Sequence, residues 1–153
     1  MSIERARAHL ARHGLDDRIK EFEVSSATVA LAAQALGCAP ELIAKTLSFE
    51  SGESAILILA AGDARIDNAK FKARFGMKAK MLAAEKVEPL IGHGIGGVCP
   101  FGVNEGIPVY LDESLKRFEY VYPAAGTSAS AVYLSLEELE RASESLGWVD
   151  VTK

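Results

Sequence analysis

Residues 92–103 read GHGIGGVCPFGV, with five glycines, a histidine, a cysteine and a proline in twelve positions. Four chemistries use such residues. A phosphate cradle needs the pattern G-x-x-x-x-G-K-[ST], so that a lysine reaches the anion held by glycine amides. Gly97 and Gly102 have the glycine spacing, but Val103 and Asn104 follow. The letters G-x-G-x-x-G fit residues 92–97, yet a helix precedes them and none follows, so the dinucleotide fingerprint fails. A metal site could start from His93 and Cys99, but no C-x-x-C or H-x-x-x-H pattern completes a set around them. A cysteine nucleophile at Cys99 needs a base to form the thiolate, and His93 is near. A cysteine between valine and proline is as readily a small buried hydrophobe, and His93 an exposed loop residue. The fourth chemistry uses the main chain. Gly96 and Gly97 lack Cβ and admit a ligand to the backbone, Pro100 stiffens the exit, and amides held this way can polarise a carbonyl during ester hydrolysis.

Two other places carry polar groups in suggestive settings. Lys45 opens the run KTLSF, where Leu47 and Phe49 share its face. It is placed either to project into a cleft or to snorkel to water at an edge. In AGTSAS, residues 125–130, Gly126 can take a left-handed turn, and Thr127, Ser128 and Ser130 offer hydroxyls. Those hydroxyls serve a ligand or satisfy their own turn.

The elements that must position these residues are legible from periodicity and punctuation. Residues 3–13 predict a helix stopped by Gly14, and residues 19–24 alternate as a half-buried strand. Ser25 and Ser26 can cap a helix to Leu36, ended by Gly37, and Pro40 opens a short helix over PELIA. Strands KTLSFE and AILILAA, joined by SGES, predict a hairpin. Asp67 caps a helix over residues 68–75, with Phe71 and Phe75 facing the core and Lys70 and Arg74 on another face. A short strand KAKML, a helix over residues 84–91, the glycine segment, strand IPVYLD, a short helix DESLKRF and strand EYVYPA follow. Residues 125–135 hold a turn and a strand. Ser135 and Glu138 form a capping box for a helix over residues 136–146 that Gly147 ends. Strands in hairpin-like runs with interspersed helices predict an α+β fold with a mixed or antiparallel, strongly curved sheet.

The 153 residues suit a single domain, with 49% hydrophobic and 25% charged residues, an ordinary globular balance. No run is long enough to span a bilayer, and the first residues lack the pattern of a secretory signal. Two cysteines make no disulfide framework, so a cytoplasmic protein is expected. The net charge is −4, yet residues 64–86 carry seven basic and two acidic residues, a local +5. That segment (Arg65, Lys70, Lys72, Arg74, Lys78, Lys80 and Lys86) is either a solvated face or a weak contact for a phosphate backbone.

Taken in order, IAKTLSF, GDARIDNAKF, GGVCPFG and AGTSASAVYLSLEEL resemble the YbaK/ProX family of trans-editing aminoacyl-tRNA deacylases, the domain also inserted in many bacterial prolyl-tRNA synthetases. The resemblance covers about residues 19–146. It implies a mixed, barrel-like curved sheet flanked by helices, and hydrolysis of the ester joining a wrong amino acid to a tRNA, typically tRNA-Pro. Lys45 matches the family's key lysine, which positions the terminal nucleotide or the ester. Residues Gly96, Gly97, Val98, Cys99 and Pro100 match its G-x-x-x-P loop, which holds the aminoacyl carbonyl. Gly126, Thr127 and Ser128 match its glycine-hydroxyl turn, and Phe22 and Thr46 complete the candidate substrate-binding set. The resemblance implies no cofactor, metal or covalent nucleophile, and allows prolyl-tRNA synthetase as a partner. Asn68, Ala69 and Ala129 depart from the family pattern, which leaves the amino acid removed undetermined. A reading from another class is a non-catalytic module that holds an aminoacyl-tRNA end, nucleotide or amino acid.

Overall fold

The computed structural model describes residues 2–23 and 28–153. The expected caps Ser25 and Ser26, and the strand end at Val24, lie outside the described residues. Helix α1 (Ser2–Ala11) leads into strand β1 (Ile19–Glu21). Helix α2 (Val29–Leu36) is capped by Thr28, whose side chain accepts from the Leu31 amide at 3.1 Å, and Gly37 ends it at φ 70°. Strands β2 (Ile43–Ser51) and β3 (Ser54–Ala61) form the predicted antiparallel hairpin. Helices α3 (Asn68–Phe75) and α4 (Ala84–Ile91) follow, the former capped by Asp67 and closed by Gly76 as expected. Then come β4 (Val109–Asp112), β5 (Tyr120–Pro123), β6 (Ser130–Val132), β7 (Leu134–Ser135), α5 (Leu136–Ala142) and β8 (Trp148–Val149).

Six strands form a mixed, curled sheet in the order β7-β5-β2-β3-β4-β8, and β1 pairs separately with β6. The α+β expectation holds. The hairpin-like reading is corrected in part: β2 pairs with β5, β3 with β4, and β4 with β8 in parallel. Central β3 is buried on both faces, which is why its sequence is a continuous apolar run rather than an alternation. Leu57 and Leu59 pack with Val87, Ile91 and Phe101 on one face. On the other, Ile56 and Ile58 pack with Phe49 and Phe71 of α3.

Three local expectations change. PELIA is only a 3-10 turn (Pro40–Leu42), because Ile43 and Ala44 already pair with Tyr122 and Pro123. KAKML makes a single bridge, Met81 to Phe49, rather than a strand. DESLKRF does hold the expected short helix, of 3-10 type (Glu113–Arg117). The last helix stops at Ala142, not at Gly147. Leu146 donates to Val109 O at 2.8 Å and Leu111 to Gly147 O at 3.1 Å, which draws the chain onto the sheet edge as β8.

Candidate functional site

The site begins where the outer edge of β2 changes partner. Ile43 and Ala44 pair with β5. Further along, the Leu82 amide donates to Ser48 O (3.0 Å) and the Glu50 amide to Lys80 O (2.8 Å). Between these stretches, over residues 45–47, no strand among the described residues covers that edge. Ser48 and Glu50 aim their peptide groups outward, so the two-residue period aims those of Thr46 outward too. The Thr46 hydroxyl is also buried without a hydrogen-bond partner. A cavity of about 460 Å³ opens against this edge. Its walls are mainly apolar, from α2 (Val29, Ala32), residues 81–87, Ile95 and Val98, with Lys45, Thr46, Ser48, Gly96, Tyr122, Thr127 and Ser130 as polar or backbone elements. A largely apolar hollow with a few fixed polar groups is the usual form of a small-molecule site.

Lys45 lines this cavity. Its ammonium donates to Ala64 O, with Gly62 O at 3.5 Å, so the loop after β3 holds the charge at the wall. Burial lowers its pKa, Asp63 opposes that shift, and neighbouring Arg65 adds to it. The loop is itself pinned: a Cβ at Gly62 would stand 2.0 Å from Pro40 O. Leu47 and Phe49 share the Lys45 face and pack in the cluster around Phe71, as the alternation predicts.

The glycine segment is a built loop with fastened ends. Arg5 of α1 donates to Gly92 O (3.0 Å) and to Asn104 Oδ1 (2.9 Å). The Asn104 side chain donates to Pro89 O and Leu90 O, and its amide to Ile91 O. Within the loop, Gly96 adopts φ 90° and the Gly97 amide donates to Gly94 O at 3.1 Å. Gly97 is therefore removed from the set of amides free to hold a carbonyl. Its need for glycine is steric: a Cβ there would lie 2.4 Å from Gly126 O. The two candidate loops thus meet backbone to backbone. No bond to the Gly96, Val98 or Cys99 amides is seen among the described residues, and Gly96 and Val98 line the cavity.

The side chains behind the loop are buried. Cys99 is fully buried, 3.6 Å from Phe101 O, and burial pushes its thiol up to about 12, against weaker lowering by the Phe101 and Gly126 backbone. It lies outside the cavity lining, and its burial disfavours the thiolate that a nucleophile would need. His93 is not the exposed loop residue expected but fully buried, its Nε2–H donating to Phe101 O at 2.6 Å and its Nδ1 unpartnered. Burial lowers its pKa, so the ring is neutral. Pro100 is buried as well.

Of the remaining candidates, Thr127 reaches the cavity and Phe22, Gly126 and Ser128 stand outside its lining. The turn hydroxyls largely serve their own backbone: Thr127 Oγ1 donates to Ser130 Oγ (3.0 Å), which donates to Thr127 O (3.0 Å). Phe22 contributes its amide to Ala129 O (2.8 Å). The basic segment divides. Lys70 pairs with Asp150 and Thr152 O, Lys80 pairs with Glu50, and Arg74 stacks over Phe75 and Tyr110. Arg65, Lys72 and Lys78 stay exposed. The sequence reading missed Tyr122, Ser48 and the α2 wall, because nothing local marks residues that meet only through sheet curvature.

It also missed a cluster of His9, His13 and Glu144, whose ligand-type atoms lie within 4.8 Å of one another. Both ring nitrogens of His9 are occupied, however. Arg12 donates to Nδ1 (3.0 Å) and Nε2–H donates to Ala142 O (2.6 Å). The cluster ties α1 to the end of α5, and within it His9 has no free ring lone pair to offer a cation.

Comparison with known proteins decides the family. The profile described as aminoacyl-tRNA editing domain matches residues 23–142. The chain belongs to this family. The uncharacterized protein YwhH of Bacillus subtilis is 49% identical over all of this chain and 98% of its own length. The proline–tRNA ligase of Moorella thermoacetica is 34% identical over 56% of this chain, which spans 15% of that enzyme. A crystal structure described as a candidate trans-editing enzyme for prolyl-tRNA synthetase superposes with a TM-score of 0.88 and 31% identity, covering 99% of this editing domain and 97% of that chain.

Proposed function

We propose that this editing domain hydrolyses the ester linking a wrong amino acid to the 3′ end of a tRNA, tRNA-Pro first among them, acting in trans to prolyl-tRNA synthetase. The observation that carries the reading is the uncovered edge of β2 facing the glycine loop across one cavity. The buried, unpartnered hydroxyl of Thr46 and the unbonded amides at Gly96 and Val98 line one space, and a held ammonium stands at its wall.

In this reading the aminoacyl carbonyl oxygen points to the Gly96 and Val98 amides, which stabilise the negative charge formed when water attacks. The carbon–oxygen bond to the ribose then breaks, and the hydroxyl-terminated tRNA and free amino acid depart. Lys45 orients the terminal nucleotide through its remaining N–H. No side-chain nucleophile is used, in keeping with the raised pKa of Cys99. Arg65 lies near enough to Lys45 to influence its charge, so in this reading Arg65 meets a tRNA phosphate beside the site.

The test is a panel of mischarged tRNA-Pro species, with loss of the amino acid followed over time. Loss is expected for at least one small amino acid and is reduced about 100-fold in Lys45→Ala, the scale of misplacing a substrate by about 1 Å. Binding without hydrolysis on the entire panel would replace the enzyme with the holding module.

A further inference from the structure

Three of the chain's four tyrosines gather on one surface beside the cavity. Tyr120 and Tyr122 lie two apart on β5, so they share a face, while Val121 and Pro123 between and after them are buried. Tyr133, between β6 and β7, completes the group. Ring centroids are 4.7 Å apart for Tyr120–Tyr133, 5.4 Å for Tyr122–Tyr133 and 6.2 Å for Tyr120–Tyr122. All three are half-buried, and no hydrogen bond to their hydroxyls is seen among the described residues. The exposed Lys20 of β1 places its ammonium 5.8 Å from the Tyr122 ring centre. Tyr122 also lines the cavity, so the aromatic surface and the pocket are continuous.

We infer that this tyrosine surface binds the unpaired nucleotides that precede the esterified one, stacking bases on Tyr120 and Tyr133 while Lys20 meets their phosphates. The inference rests on the functional reading above. An ester at the end of an RNA cannot enter the cavity alone: the single strand must leave across the rim, and Tyr122 is part of that rim. Single-stranded RNA is held chiefly by bases stacked on aromatic rings with cations along the backbone, a mode tolerant of base identity. Half-exposed rings fit this mode better than a packing role, since a core would bury them and a plain solvated face would not collect them.

The test compares two substrates of the same ester: aminoacyl-tRNA, and aminoacyl-adenosine, which lacks the upstream nucleotides. In the double variant Tyr120→Leu/Tyr133→Leu, the ratio of kcat/KM for the tRNA over that for the adenosine ester should fall about tenfold or more, the scale of one lost base stack. Tyr120→Phe/Tyr133→Phe, which keeps the rings, should restore the ratio. Lys20→Gln should lower it less and make the tRNA reaction less sensitive to salt. An unchanged ratio in the leucine variant overturns the inference, even if both activities drop together through loss of fold. If the unmodified protein cleaves neither ester, the hydrolase reading fails separately. The surface is then judged by binding of the uncharged trinucleotide CCA: weaker binding by the leucine variant supports it, and equal binding overturns it.

Discussion

At the residue scale, the site depends on what burial does to groups that look reactive in the sequence. Cys99 and His93 stand 3.5 Å apart, a spacing that suggests a thiolate–imidazole pair. Both are fully buried, and the thiol is pushed up to about 12, so the pair stays neutral. Cys99→Ala should therefore keep full deacylation while costing roughly 1 kcal/mol of stability, the scale of one small buried group. A thiol reagent added to native protein should modify the half-buried Cys38 and leave Cys99 until unfolding. Rapid native labelling of Cys99, or loss of activity in the alanine variant, would falsify this picture. Lys45 shows another case: burial lowers its pKa, Asp63 opposes that shift, and two backbone carbonyls accept from its ammonium.

At the element scale, the candidate site sets the edge of strand β2 against the glycine loop, and helix α1 holds that loop. Arg5 spans from α1 to both ends of residues 92–104 through Gly92 O and Asn104 Oδ1. Arg5→Ala should cost only about 1 kcal/mol, since these bonds are solvent-exposed. It should nevertheless reduce kcat/KM by more than that destabilisation explains, because the amides at Gly96 and Val98 lose their fixed position. Melting temperature and steady-state kinetics on the same variant separate the two effects. Gly97→Ala tests the contact between the loops. Its Cβ would meet the Gly126 backbone at 2.4 Å, which cannot yield as a side-chain tip can. The variant should lose about 1–3 kcal/mol, the usual cost of overpacking. Wild-type stability and activity in Gly97→Ala would mean that the loops are not held together as described.

At the scale of the whole molecule, two buried histidines make folding sensitive to acid. Burial lowers the pKa of both His9 and His93 below the ordinary value of 6.5. The unfolded chain thus takes up protons on these rings before the folded protein does. Their stabilising contribution is complete above pH 6.5 and is lost as the pH falls through their lowered folded values. Unfolding midpoints recorded from pH 7.5 downward should decrease in that window, and less steeply in His93→Gln. Asp63, Asp67 and Glu138, whose pKa values are lowered by hydrogen bonds, add to the loss at more acidic pH. No helix among the described residues is long and apolar enough to cross a membrane.

The elements were largely legible in the sequence because local rules govern them. Asp67 and Gly76 bracket α3, Ser135 and Glu138 start α5, and the uninterrupted run in β3 announces a strand buried on both faces. Where long-range pairing competes with local preference, reading the sequence alone fails. Ile43 joins the sheet instead of extending a helix, and residues 146–149 leave α5 for the edge of β4. The candidate site divides the same way. Residue types and spacing singled out Lys45, Gly96 and Thr127, and the family resemblance added Thr46 and Val98; all five line the cavity. Only the tertiary structure decided that the Gly97 amide is already bonded, that Cys99 and His93 are sealed behind the loop, and that Tyr122 joins the wall. The physical reason is that burial and hydrogen-bond partners are properties of surfaces brought together by folding, whereas caps, turns and alternation act between near neighbours in the chain.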